Sequence, residues 1–330
     1  MSSSPRAWLA GILAVALAAA ALLAFFAVRP LEPPTQPFDF VVKPGATLKG
    51  VSRQLSDAGL TYEGETLWIL GRVLGKTAIR AGTYRLREPL SPLELLDKLN
   101  SGDVLPTAIT FSEGLTLRQM LKALEDTGQV RMTLKGKPLS EIRAALGVEE
   151  AQPEGLFFPD TYQFDPGTTD AEILKRSYGA MQKRLAEAWA QKDPAVALGS
   201  PYEALVLASI VEKETGKAEE RPLIAGVFLN RLRLGMKLQT DPTVIYGMGE
   251  AYNGNIRKKD LTTDTPWNTY TREGLPPTPI ASPGGAALMA VMRPAPSDFL
   301  YFVARGDGSH QFSRSLDEHN RAVARYQLKK

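Results

Sequence analysis

The sequence predicts an α+β protein with an N-terminal transmembrane helix, a small β-α-α-β module and a larger mixed α/β domain. Three observations carry the prediction. An uncharged run of membrane-spanning length opens the chain. Helical and strand periodicities then alternate, separated by Pro and Gly turns. At roughly 150 residues per domain, 330 residues leave room for about two domains.

Residues 7–28 contain no charge and lie between Arg6 and Arg29. At 1.5 Å per residue such a run spans about 33 Å, enough for a hydrocarbon core of roughly 30 Å. A cleaved signal peptide is the alternative, because Ala18–Ala21 resemble a cleavage region. The run exceeds the usual apolar length of such peptides, which favours an uncleaved anchor. Residues 1–6 then form a cytoplasmic tail, and the body lies on the extracytoplasmic side of the inner membrane. Residues 29–38 hold four prolines, at 30, 33, 34 and 37, and read as a semi-rigid linker.

The module over 39–102 opens with a strand at Phe40-Val41-Val42 and a Pro44-Gly45 turn. Leu48, Val51, Ser52 and Leu55 recur at helical spacing, and Gly59 closes that helix. A second helix covers Thr66–Leu74, a strand covers Ala81–Leu86, and Ser91-Pro92 caps a third helix. This layout resembles a LysM-type glycan-binding module, with a plain spacer as the alternative. A connecting subdomain over 103–150 repeats the theme weakly, with a strand at Thr107–Phe111 and a helix near Leu117–Leu124. From 151 to 330 the chain reads as the catalytic domain, with an aromatic cluster at Leu156–Tyr162 and a long amphipathic helix over Asp170–Gln191.

Composition narrows the chemistry. Lys and Arg number 39 against 36 Asp and Glu, with no clustered basic tract, which gives little support to nucleic-acid binding. With no cysteine and only His310 and His319, thiolate chemistry is excluded, and neither a metal site nor a cofactor is expected. Carboxylates, hydroxyls and amides remain. A serine hydrolase built on either histidine finds no nucleophile-elbow pattern around any serine.

Tyr202–Thr215 is mostly apolar up to Gly216, expected to be its left-handed cap. Glu212 and Glu214 lie near its end, about 200° apart around the helix axis, so they cannot share a cleft. Glu214 sits over Ile210, Val211 and Leu207, whereas Glu212 sits over Ala208, Ser209 and Leu205. An apolar setting disfavours the charged carboxylate, and the helix C-terminus adds to this, so Glu214 suits a general acid. Glu212 is the alternative acid. The structural reading is a buried glutamate satisfied by Lys213, Lys217 or a hydroxyl. Two polar-aromatic loops follow, Leu238–Gly247 and Trp267–Pro277, with the inventory of a sugar site; Thr240 or Asp241 could equally be a helix N-cap.

Taken in order, Ser209–Thr215, Asn230-Arg231-Leu232, Leu238–Thr243, Asn268-Thr269-Tyr270, Gly274–Pro277, Ser282-Pro283-Gly284 and Tyr301-Phe302-Val303 resemble the endolytic murein transglycosylase family (MltG, YceG-like). Ala81–Tyr84 and Phe158–Thr161 resemble its N-terminal parts, and Trp267 stands where a tyrosine is expected. The resemblance implies cleavage of the β-1,4 bond between N-acetylmuramic acid and N-acetylglucosamine within nascent peptidoglycan strands. The product ends in 1,6-anhydro-muramic acid. It implies Glu214 as the catalytic carboxyl, with Thr215 after it like the Glu-Ser pair of other lytic transglycosylases. Glu214 would protonate the glycosidic oxygen and, once ionised, take the proton of the muramic C6 hydroxyl. Gln239, Asn268 and Tyr270 are expected to hold the N-acetyl group, and Thr240, Asp241 and Tyr246 to line the cleft. Penicillin-binding synthases are the expected neighbours at the membrane. The rivals are a hydrolase pairing Glu214 with Asp241 or Asp160, and a non-catalytic wall-binding scaffold.

Overall fold

The computed structural model describes residues 5–60, 64–105 and 107–328. Most of the expected cytoplasmic tail, residues 1–4, lies outside the described residues. Helix α1 (Pro5–Val28) is long and apolar enough to cross a membrane, and its large side chains from Trp8 to Val28 are largely exposed. The chain divides into two compact units. One holds residues 1–108, 127–131 and 163–169, and the other the remainder.

In the first unit β1 (Phe38–Val42), α2 (Leu48–Asp57), α3 (Thr66–Val73) and β2 (Gly82–Leu86) give the expected β-α-α-β order, followed by α4 (Pro92–Ser101). The strands pair antiparallel, from Phe38 opposite Leu86 to Val42 opposite Gly82. Alternation therefore sends Phe38, Phe40, Val42, Tyr84 and Leu86 to one face, onto Leu55, Leu67, Leu95, Leu96 and Leu99 of the helices. Phe40 and Tyr84 stack with ring centres 5.3 Å apart. The buried Tyr84 hydroxyl donates to the Arg80 carbonyl at 2.7 Å, with the Leu99 carbonyl also near at 3.2 Å, and burial pushes its pKa up to about 12. A capping box between Ser91 and Glu94, with Pro92 in the first turn, starts α4 as the sequence predicts. Leu31 is buried in this core and pairs with Leu90, its N–H donating to the Leu90 carbonyl at 2.9 Å. Its apolar side chain gains more from the core than from water, so this part of the linker is docked.

Residues of the connecting stretch over 103–150 divide between the two units. After β3 (Thr107–Thr110), α5 (Leu117–Asp126), α6 (Leu139–Leu146) and, past β4 (Thr161–Phe164), α7 (Asp170–Trp189) lead into the part of the second unit that builds the site. There α8 (Pro201–Glu214), α9 (Arg221–Arg233), α10 (Asp241–Met248), α11 (Lys258–Thr262) and α12 (Gly285–Met292) precede the hairpin β5 (Tyr301–Ala304) and β6 (His310–Ser313), and α13 (Leu316–Tyr326). Helix α8 starts at Ser200, whose hydroxyl accepts the Glu203 N–H, and Ala204–Val211 are all buried. An apolar helix buried on most sides needs neighbours on several faces; α7, α9, α10 and α12 supply them. Helix α13 packs on both strands of the hairpin.

One expectation at the end of α8 is corrected. Gly216 is not a left-handed cap. The helix leaves through Thr215 in an extended conformation, and the Thr215 hydroxyl accepts the Lys217 N–H at 3.0 Å. That side-chain bond turns the chain without help from a glycine.

Candidate active site

The two glutamates of α8 part as helix phase requires. Glu212 accepts the N–H of Gly284, at the N-terminus of α12, at 2.9 Å, and pairs with Arg221 at 3.2 Å. Glu113 stands 3.6 Å from the same guanidinium. Burial raises the Glu212 pKa, against the Gly284 N–H and Arg221, which favour its charge. It is a bracket joining α8 to the starts of α9 and α12, and it does not line the Glu214 cavity.

Glu214 faces a cavity of about 460 Å³. Its Oε2 accepts the Thr240 hydroxyl at 2.8 Å, so the hydroxyl, rather than Lys213 or Lys217, is its partner. Lys213 is turned away, donating to the Gly114 carbonyl. Burial dominates and pushes the Glu214 carboxyl above its ordinary value. Asp241 reinforces the rise, while the Thr240 hydroxyl, His310 and Arg231 oppose it. A carboxyl set this way retains its proton nearer neutrality, as a general acid must.

The Thr240 hydroxyl is spent on Glu214 and so does not cap α10, although Thr240 occupies the N-cap position. Thr269 fixes the segment ahead of it: the Thr269 carbonyl accepts the Gln239 N–H, and its hydroxyl accepts the Thr240 N–H. Gln239 is held at φ +50°, a left-handed conformation costing a side-chain-bearing residue about 1 kcal/mol or more. Gln239 thereby lines the cavity. Asp241 and Tyr270 line it too, the Tyr270 hydroxyl donating to Asp241 Oδ1 at 2.6 Å.

Two expected contacts are corrected. Asn268 is fully buried; its amide donates to the carbonyls of Asp260, Leu261 and Thr263, and its Oδ1 accepts the Tyr270 N–H. With its hydrogen bonds all spent on the fold, it positions Thr269 and Tyr270 instead of holding a sugar. Tyr246 points away from Glu214, into a separate cavity of about 780 Å³, where its hydroxyl donates to Glu154. Trp267 meets Tyr246 edge-on and donates to Thr278, so it braces this loop. Asp160 lies outside the Glu214 cavity; its side chain accepts the Thr161 N–H.

Much of the rest of the cavity wall was not anticipated from the sequence. Arg231 donates to the Leu300, Lys237 and Leu238 carbonyls and lies over the Tyr301 ring. It locks the hairpin and the Gln239 segment to α9. Tyr301, His310 and His319 complete the wall, and His310 is gripped by Glu220 through both its Nδ1, at 2.7 Å, and its N–H, at 2.9 Å. The Tyr301-Phe302-Val303 motif and the two histidines were visible, but 87 residues or more separate them from Glu214.

The model of the YceG-like family matches residues 40–325. This chain belongs to the YceG-like family. It is 33% identical to the endolytic murein transglycosylase of Bacillus subtilis (strain 168), over 76% of this chain and 74% of that one. It is 29% identical to the endolytic murein transglycosylase of Streptococcus pneumoniae serotype 2, over 86% of this chain and 57% of that longer relative. The crystal structure of a YceG-like protein from Listeria monocytogenes superposes with a TM-score of 0.60 at 28% identity, covering 87% of this chain and 98% of that one. For this YceG-like chain, the match spans both the β-α-α-β module and the cavity-bearing unit.

Proposed function

We propose that this protein is an endolytic peptidoglycan lytic transglycosylase with Glu214 as its general acid. It cleaves the β-1,4 bond between N-acetylmuramic acid and N-acetylglucosamine within nascent strands, leaves 1,6-anhydro-muramic ends and so terminates strand elongation. The observation that carries the reading is the Glu214 carboxyl, raised by burial, facing a cavity lined by Gln239, Asp241 and Tyr270. Glu214 delivers its proton to the glycosidic oxygen as the bond to C1 breaks. The muramic C6 hydroxyl, not water, closes on C1, so no second carboxylate is needed to activate water.

Gln239 and Tyr270 are suited to the N-acetyl group, and Asp241 holds the Tyr270 hydroxyl in place. Helix α1 serves as a single-pass inner-membrane anchor with the body outside the cytoplasm, where penicillin-binding synthases supply new strands. The β-α-α-β order supports a LysM-like glycan-binding role for the first unit.

The test is digestion of purified peptidoglycan by the full chain in detergent, with products weighed by mass spectrometry. Anhydro ends are expected from the wild type and should be lost in Glu214→Gln. Reducing ends, one water heavier, would instead favour a hydrolase using Asp241. Binding without cleavage by a folded wild type would favour a scaffold.

A further inference from the structure

The anhydro-forming reaction moves two protons, one onto the leaving oxygen and one off the C6 hydroxyl. A single carboxyl can serve both transfers in turn. The cavity that Glu214 faces holds a second group suited to the latter transfer. His310, the first residue of β6, lines the cavity with its ring edge-on to Phe302 and Phe312. Glu220, on the short turn following α8, accepts the His310 N–H at 2.9 Å and meets its Nδ1 at 2.7 Å.

A carboxylate only accepts, so in the neutral ring Nδ1 carries the hydrogen and Nε2 keeps its lone pair. The Glu220 side chain thus sets both the ring's orientation and its tautomer, as the carboxylate does behind a catalytic histidine. The other candidates in the cavity lack this arrangement. The hydroxyl of Tyr270 already occupies Asp241 Oδ1, and Arg231, a guanidinium with no acceptor, cannot take a proton. His319 stacks on Tyr301, and its buried Nδ1 has no partner among the described residues, so nothing fixes its tautomer.

We propose that His310 is a catalytic base: its Nε2 takes the proton of the muramic C6 hydroxyl while Glu214 protonates the leaving oxygen. This rests on the transglycosylase reading above. The bond from C1 to the leaving oxygen breaks and the bond from O6 to C1 forms. The Glu214 proton ends on the N-acetylglucosamine 4-hydroxyl, and the O6 proton ends on Nε2. The imidazolium then returns a proton to the Glu214 carboxylate, so the enzyme is restored and no water is consumed. Charge balance favours the division. Glu214 becomes an anion in a half-buried setting beside Asp241, and the imidazolium formed at the same moment compensates it. The charged groups around the ring are Glu220 and Lys217 on one side, and Glu214, Asp241 and Arg231 across the cavity.

The test uses the full chain in detergent, with peptidoglycan as substrate and anhydro ends as the readout. In His310→Asn the side-chain amide can still donate to Glu220, so the bracket survives while Nε2 is lost. That variant is expected to melt within a few degrees of wild type, to keep its KM within about twofold, and to lose about 10²–10⁴-fold in kcat. His310→Ala should be similarly slow and recover at least about tenfold on addition of imidazole, which a merely structural residue would not do. A near-wild-type kcat in folded His310→Asn, a loss confined to KM, or no recovery with imidazole would overturn the assignment. The two readings fail separately: a wild type that makes no anhydro ends defeats the function, whereas active His310 variants defeat only the base.

Discussion

Replacing Thr240 by valine would remove the one hydroxyl that donates to Glu214 while keeping the side-chain volume. In the wild type this hydrogen bond, 2.8 Å long, favours the ionised carboxylate and so opposes the rise caused by burial. A hydrogen bond to a charged group contributes about 1.5–3 kcal/mol. Glu214 is half-buried, and water entering the cavity recovers part of the loss, so the lower end applies. Losing that share of stabilisation should raise the Glu214 carboxyl further. The acid works only while protonated, so activity falls as pH climbs past its pKa. In Thr240→Val that alkaline limb should therefore move to higher pH. Thr240→Ser, which keeps a hydroxyl, should leave it in place. The assay is the rate of anhydro-end formation across pH, by mass spectrometry, with thermal melting as the control for folding. An alkaline limb that stays put or moves down in folded Thr240→Val would refute the argument that this hydroxyl and burial together set the acid.

Two further predictions concern stability. Buried Glu154 accepts the Leu117 and Gly155 N–H groups and the Tyr246 hydroxyl, yet burial outweighs these and lifts its pKa to about 6. Its folded value lies above its unfolded one, so stability is full below the unfolded pKa and is lost as pH rises through about 6. Glu154→Gln should thus be about 2 kcal/mol more stable than wild type near pH 8, with the gap closing toward pH 4, in denaturant melts at the two pH values. Glu212→Gln removes a charge from the buried Arg221 pair. Glu113 remains 3.6 Å from the guanidinium, so the loss should stay below about 3 kcal/mol in denaturant unfolding, while Glu214→Gln, whose carboxyl burial also raises, should be no less stable than wild type near neutral pH.

Much of this protein was legible in local pattern. The run of uncharged residues became α1, the β-α-α-β order of the first unit followed from period and turn chemistry, and Ser91, Pro92 and Glu94 marked the start of α4. Helix phase alone separated Glu214 from Glu212, because 3.6 residues per turn is a property of the backbone wherever the helix packs. Partner choice is different, since it depends on which distant groups the folded chain brings within hydrogen-bonding reach. Asn268 and Tyr270 both looked able to meet a sugar, but the amide of Asn268 is consumed by three carbonyls of its own loop while the Tyr270 hydroxyl lines the cavity. Thr240 takes the N-cap position of α10, as its sequence allowed, but the fold spends its hydroxyl on a glutamate 26 residues away. Tyr246, five residues from Asp241 on the same short helix, faces another cavity because five steps of about 100° turn it roughly 140° around the axis. The wall of Arg231, Tyr301, His310 and His319 exists only once β5, packed on α9, brings β6 and α13 to the Glu214 cavity. The sequence by itself determined the elements and the face each one buries, which are set by short-range periodicity. Only the tertiary structure decided which polar atoms remain free to do chemistry, because a hydrogen bond is won or lost over a few tenths of an ångström between residues far apart in the chain.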